Sequence, residues 1–186
     1  MQDDTSKERD PWTVVGSREI YINPWLRVRE DHVIRPDSKP GIYGVVEFRN
    51  LALGVVAIDD ELNTYLVGQW RYPLGFYSWE IPEGGGALGI PPLDSIQREL
   101  REETGITALK WTDLGTFALS NSVTNEVGHV YMARQLVVGT AAPDGDEVLQ
   151  IKRLPFLDAY AMAMDGRITD AVSIIGLTRA KHFLQL

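Results

Sequence analysis

Apolar residues follow two rhythms along the 186-residue chain. From Trp12 to Phe48 they form short runs, WTVVGSREIYI, WLRVREDHVI and GIYGVVEF, rich in Val, Ile, Tyr and Trp. Gly16-Ser17, Asn23-Pro24, Pro36-Asp37 and Pro40-Gly41 break them, which is the punctuation of strands joined by turns. In the middle run Leu26, Val28 and Glu30 fall on one face, and Arg27, Arg29 and Asp31 on the other. Three antiparallel strands are therefore predicted. So small an element buries little alone and has to lean on the rest of the chain or on a second subunit. LALGVVAI and TYLVGQWRY follow, separated by the polar hairpin Asp59 to Asn63, and then GFYSWEIPEGGG, a short strand running into glycine. The helical period appears from Leu93 to Thr104. WTDLGTFALS and GHVYMARQLVV are strands around a polar loop, Asn121 to Glu126, and LQIKRLPF is one more. FLDAYAMAMDGRI and DAVSIIGLTRAKHFLQL close the chain as helices, the second capped by Asp170 with Ala171, Ile174, Ile175 and Leu177 facing inward. The pattern predicts an α/β fold in three parts. They are a loose tail over 1–10, antiparallel strands over 11–50 and a main domain over 51–186.

Composition narrows the function. The 20.8 kDa chain is 44% hydrophobic and 24% charged, ordinary for a globular protein. Its net charge of −8 argues against a broad basic surface for nucleic acid, though a few arginines or a metal ion can still neutralise an anionic substrate. With no cysteine there is no disulfide, thiolate metal site or Cys nucleophile, and a cytoplasmic location is expected. The start, MQDDTSKERD, lacks the apolar core of a secretory signal, and no run of apolar residues is long enough to predict a membrane span. His32, His129 and His182 lack metal-ligand spacing and read as structural.

The chemistry concentrates in GGGALGIPPLDSIQRELREETGI, residues 84–106. Pro92 suits the first helical turn, and Gly105 suits a left-handed stop. At about 100° per residue, Ile96, Leu100 and Leu93 share an arc; with Glu99 at zero, Glu103 lies near +40° and Glu102 near −60°. Three carboxylates thus share a face in the last turns, where the helix dipole favours cations instead. Arg98 and Arg101 offset part of the repulsion. A hard divalent cation, which takes oxygen ligands and keeps waters for a phosphate substrate, would offset the rest.

The segment resembles the Nudix hydrolase box: Gly, five residues, Glu, seven residues, then Arg-Glu-apolar-x-Glu-Glu-x-Gly-apolar. Gly84, Arg98, Glu99, Leu100, Glu102, Glu103, Gly105 and Ile106 match, and Ile90 stands where the family has its first Glu. That departure bears on the number of metals. The flanks, GQWRYP and WEIPEGGG, resemble the ADP-ribose and nucleoside-diphosphate-sugar pyrophosphatases. The resemblance implies a Nudix-type α/β/α sandwich with a mixed sheet, plus an N-terminal antiparallel β element that exchanges between two subunits of a homodimer. It implies metal-dependent hydrolysis of nucleoside diphosphate sugars such as ADP-ribose, GDP-mannose and ADP-glucose. A catalytically silent nucleotide-binding module and a triphosphate clean-up enzyme are the alternatives.

Carried onto this sequence, the resemblance implies Mg²⁺ or Mn²⁺ on Glu99, Glu102, Glu103 and the main-chain carbonyl of Glu83. Arg71 would reach the diphosphate, which its planar guanidinium suits. Glu80 would hold Arg71 and a ribose hydroxyl. Trp25, Arg27 and Arg29 would cover the nucleobase. The general base is expected at Glu147 in the loop AAPDGDEVLQ, with Glu126 second and Glu99 third.

Overall fold

A computed structural model describes residues 9–141 and 148–186. Except for Arg9 and Asp10, the expected N-terminal tail lies outside them. The chain divides into two units, one formed by the residues up to Arg49 with Ser120–Asn125, the other by Asn50–Leu119 with Glu126–Leu186.

The first unit is a three-stranded antiparallel meander of β1 (Thr13–Ile22), β2 (Leu26–Ile34) and β3 (Pro40–Phe48). The turn after β1 is tied by Asn23, whose side-chain oxygen accepts the N–H groups of Trp25 and Leu26 at 2.9 and 2.8 Å. The polar face expected on β2 is present and internally neutralised. Arg27 pairs with Glu19 and Glu47, and Arg29 pairs with Glu47 and Asp31. Asp31 is buried at 3% exposure and accepts the Ser17 hydroxyl at 2.6 Å. The segment expected as a polar loop is a loop tied to this sheet. Thr124 bridges Val46 in parallel, the Val46 N–H donates to the Val123 carbonyl at 2.9 Å, and the Tyr43 hydroxyl donates to the Ser122 carbonyl at 2.7 Å.

In the second unit, β4 (Asn50–Ala57) is central. It pairs in parallel with β9 (Val127–Val138) and antiparallel with β7 (Glu83–Ala87), and β8 (Ile106–Ala118) adds to β9, giving the mixed order β7-β4-β9-β8. A separate antiparallel sheet joins β10 (Gln150–Pro155), β5 (Asn63–Arg71) and β6 (Phe76–Glu80). Side chains alternate across β4. Leu53, Val55 and Ala57 pack with Ile96 and Leu100 of α1 (Pro92–Thr104). Val56 packs on the other face with Ala159 of α2 (Phe156–Met164) and Leu177 of α3 (Ala171–Leu184). The unit is the expected α/β/α sandwich.

Three local expectations need correction. The strand running into glycine is two strands in two sheets, because Pro82 has no N–H to continue a ladder. β8 begins at Ile106, directly after the helix, rather than at Trp111. On α3 Leu177 is buried and Ile174 and Ile175 are half-buried against the core as expected, but Ala171 is exposed, and Val172, Ser173, Gly176 and Ala180 are the other buried residues.

Candidate active site

The site grows from the way α1 is held. Pro92 opens it and Gly105 closes it at φ 72°, with its N–H on the Arg101 carbonyl. A side chain at Gly105 would face strain and a main-chain atom of Thr140 at 2.5 Å. Ile96 and Leu100 are fully buried. That fixes the rotation of the helix and brings its last turns onto β7. There the fit is close: a Cβ on Gly84 would lie 2.1 Å from the Glu99 carboxyl carbon, so the carboxylate lies directly on the glycine backbone. Glu103, only 3% exposed, accepts the Glu83 N–H at 3.1 Å.

Carboxylate crowding on α1 is met by Arg98, which pairs with both Glu99 and Glu102. Among the described residues no three acidic or imidazole groups stand together as a preformed cation site. The donors around Gly84 nevertheless suit a hard divalent ion in kind, being carboxylate and main-chain oxygens only, and the bare glycine leaves Glu99 room to lie there.

Behind β7 lies a second charged group. Arg71 meets Glu80 through Nε, at 3.0 Å to each oxygen, and through Nη2. Glu80 is buried at 2% exposure, while the Arg71 side chain keeps 36%. Burial works against the arginine's charge, but Glu80 and then Glu83 outweigh it and hold the guanidinium charged. A cavity of about 210 Å³ opens beside it, lined by Arg71, Leu74, Ser78, Glu80, Thr169 and Asp170. The Glu83 side chain points toward α3: its Oε1 accepts the Ser173 hydroxyl at 2.9 Å. Burial first, then the charges of Asp170 and Glu80, push the Glu83 carboxyl well above the ordinary carboxylate range. Its main-chain N–H donates to Glu103.

The remaining expected residues lie on other elements. Trp25 is 68% exposed in the N-terminal unit, with Arg27 and Arg29 in the ion pairs given above. Glu126 directly precedes β9, and burial raises its carboxyl. Glu147 lies outside the described residues. Ile90 is half exposed between β7 and α1. His129 contacts Asp113 at 2.8 Å and the Tyr131 hydroxyl at 3.3 Å, in keeping with a structural histidine. Sequence reasoning missed Ser173. Its only sequence signal was the third place after the Asp170 cap, which the capping bond uses at 2.6 Å.

The NUDIX domain model matches residues 48–174, which includes β4 to the first turn of α3. The chain belongs to the Nudix family. Residues 12–46 match the nucleoside diphosphate sugar hydrolase N-terminal domain. An ADP-ribose pyrophosphatase of Bacillus subtilis is 30% identical over 174 residues, spanning 92% of this chain and 91% of its own. An ADP-ribose pyrophosphatase of Mycobacterium tuberculosis is 30% identical over 166 residues, 88% of this chain and 80% of its own. A crystal structure of an ADP compounds hydrolase superposes with a TM-score of 0.84 over 94% of both chains at 18% identity, a likeness of fold.

Proposed function

We propose that this Nudix enzyme hydrolyses the diphosphate linkage of nucleoside diphosphate sugars of the ADP-ribose, ADP-glucose and GDP-mannose class, giving a nucleoside monophosphate and a sugar phosphate. The observation that carries the reading is the seating of Glu99 on the Gly84 backbone, with Glu103 holding the neighbouring N–H. The relatives' activities and the matching N-terminal domain support the substrate class.

Glu99, Glu102, Glu103 and the Glu83 carbonyl would hold Mg²⁺ or Mn²⁺, with Arg98 yielding its pairs on Glu99 and Glu102. Such an ion, when bound, neutralises phosphate charge and lowers the pKa of water. Arg71 binds a phosphate oxygen with the edge of its guanidinium that Glu80 leaves open, and Glu80 fixes its orientation. Water attacks phosphorus and a carboxylate accepts its proton. We assign that role to Glu147. Glu126 is second, since a raised carboxyl makes a better base near neutrality, and Glu99 is third. Trp25, Arg27 and Arg29 are assigned to the nucleobase end of the substrate. The strands over 11–50 are assigned to a homodimer, and the enzyme to the cytoplasm. Among the described residues no helix is long and apolar enough to cross a membrane.

A panel of ADP-ribose, ADP-glucose, GDP-mannose, UDP- and CDP-sugars, dinucleoside polyphosphates and nucleoside triphosphates, assayed with Mg²⁺, tests the reading. The expected result is nucleoside monophosphate and sugar phosphate from at least one diphosphate sugar. Cleavage of triphosphates alone contradicts it. Ile90 favours a second reading, a binding module without turnover; binding of ADP-ribose with no cleavage would establish that instead.

A further inference from the structure

The turn from Ile81 to Glu83 carries the chain from one sheet to the other and delivers Gly84 to Glu99. Its polar groups are held from three different elements. Glu103 of α1 accepts the Glu83 N–H at 3.1 Å, and the Val55 N–H of β4 donates to the Pro82 carbonyl at 3.0 Å. The other two bonds come from one atom of α3. Ser173 Oγ accepts the Ile81 N–H at 2.9 Å and donates to Glu83 Oε1 at 2.9 Å. Ser173 is fully buried, and its own N–H is anchored on Asp170 at 2.6 Å. One hydroxyl therefore clamps both residues that flank Pro82, immediately before Gly84.

We infer that Ser173 is a positioning residue for the cation-holding turn, acting through the Glu83 main chain rather than on substrate. The inference rests on the proposed metal site. Without this hydroxyl, Ile81 loses its acceptor and the mostly buried Glu83 carboxyl loses its Ser173 donor. The turn then shifts to recover partners. A small shift matters because Gly84 and Glu99 have no slack between them, and ligand sets tolerate only about 0.5 Å of displacement. Loss of a residue that orients a metal ligand typically lowers affinity by about 10–100-fold.

The test is the dissociation constant of Mn²⁺, read from the paramagnetic resonance of the free ion, for the wild-type protein, Ser173→Ala and Glu83→Met. Glu83→Met keeps the main-chain carbonyl but removes the side-chain acceptor, and it decides the question if Ser173→Ala does not fold. The expected result is Mn²⁺ binding about tenfold or more weaker in each variant. With Mg²⁺, the half-saturating concentration for hydrolysis should rise by a larger factor than kcat at saturation falls. A serine that merely fills the core would lower thermal stability and leave Mn²⁺ affinity unchanged, and that result overturns the inference alone. A wild-type protein that binds no Mn²⁺ overturns both the inference and the site on which it rests.

Discussion

At the scale of single residues, the site depends on which oxygen goes where. Gly84→Ala puts a methyl group into the Glu99 carboxylate, so one of them has to move. Such overpacking typically costs about 1–3 kcal/mol, a loss the fold can survive. The expected outcome is a protein that still melts cooperatively but hydrolyses ADP-ribose about 10–100-fold more slowly, measured as kcat/KM. The general base separates from the metal ligands by a different signature. Glu147→Gln is expected to keep substrate affinity and lose about 10²–10⁴ in turnover. A loss in Glu126→Gln instead, with Glu147→Gln near wild type, moves the base to the residue whose carboxyl burial already raises. Much of this site was legible in the sequence, because the Gly, Arg and Glu spacings fix one face of one helix. Two features were not. That Arg98 reaches its neighbour Glu99 as well as Glu102 at i+4 depends on rotamers, which spacing does not specify. Ser173 works across 90 residues of sequence, and a lone serine in an apolar helix carries no mark of such a partner.

Elements set the next scale. β4 could be read as a buried strand because its apolar run is continuous, as a strand covered by helices on both faces requires. The division between β6 and β7 was harder to read, since a strand ending in glycine and a strand changing sheets look alike until pairing partners are known. Helix α3 shows how a correct cap can accompany a face that is right at Ile174, Ile175 and Leu177 but wrong at Ala171. Asp170 does cap it, but the helix is apolar on most sides, so periodicity could not select the inward one. Asp170→Ala removes the side-chain acceptor of the Ser173 N–H, a cap usually worth about 1 kcal/mol. A loss in stability of about 1 kcal/mol is therefore expected from urea denaturation. Between β8 and β9, burial acts to raise the Asp113 carboxyl, but the His129 hydrogen bond and the Gly115 N–H prevail and hold it below its usual value. A carboxylate lowered by folding stabilises above its unfolded pKa, and that contribution disappears as pH falls through the lower folded value. Asp113→Asn should therefore lower Tm at pH 7 more than at pH 3, and an equal loss at both would argue against this pairing.

For the whole molecule, the N-terminal unit raises the question of what completes it. Its first strand is exposed along its entire length, and Val14, Val15, Ile20, Tyr21 and Ile22 are among its open side chains. A partly apolar strand whose edge is unpaired among the described residues is a liability unless something covers it. The proposed second subunit does so, and light scattering at micromolar concentration should give twice the chain mass of 20.8 kDa. A monomer mass would remove that assignment without touching the chemistry. The chemistry is tested most directly by the ³¹P spectrum of ADP-ribose incubated with the protein and Mg²⁺, repeated with Glu99→Gln, with Glu103→Gln and in excess EDTA. Wild type should replace the diphosphate resonances with two phosphomonoester resonances, those of AMP and ribose phosphate, and each of the other three samples should leave the diphosphate essentially intact. Full conversion by both variants in excess EDTA would contradict that chemistry.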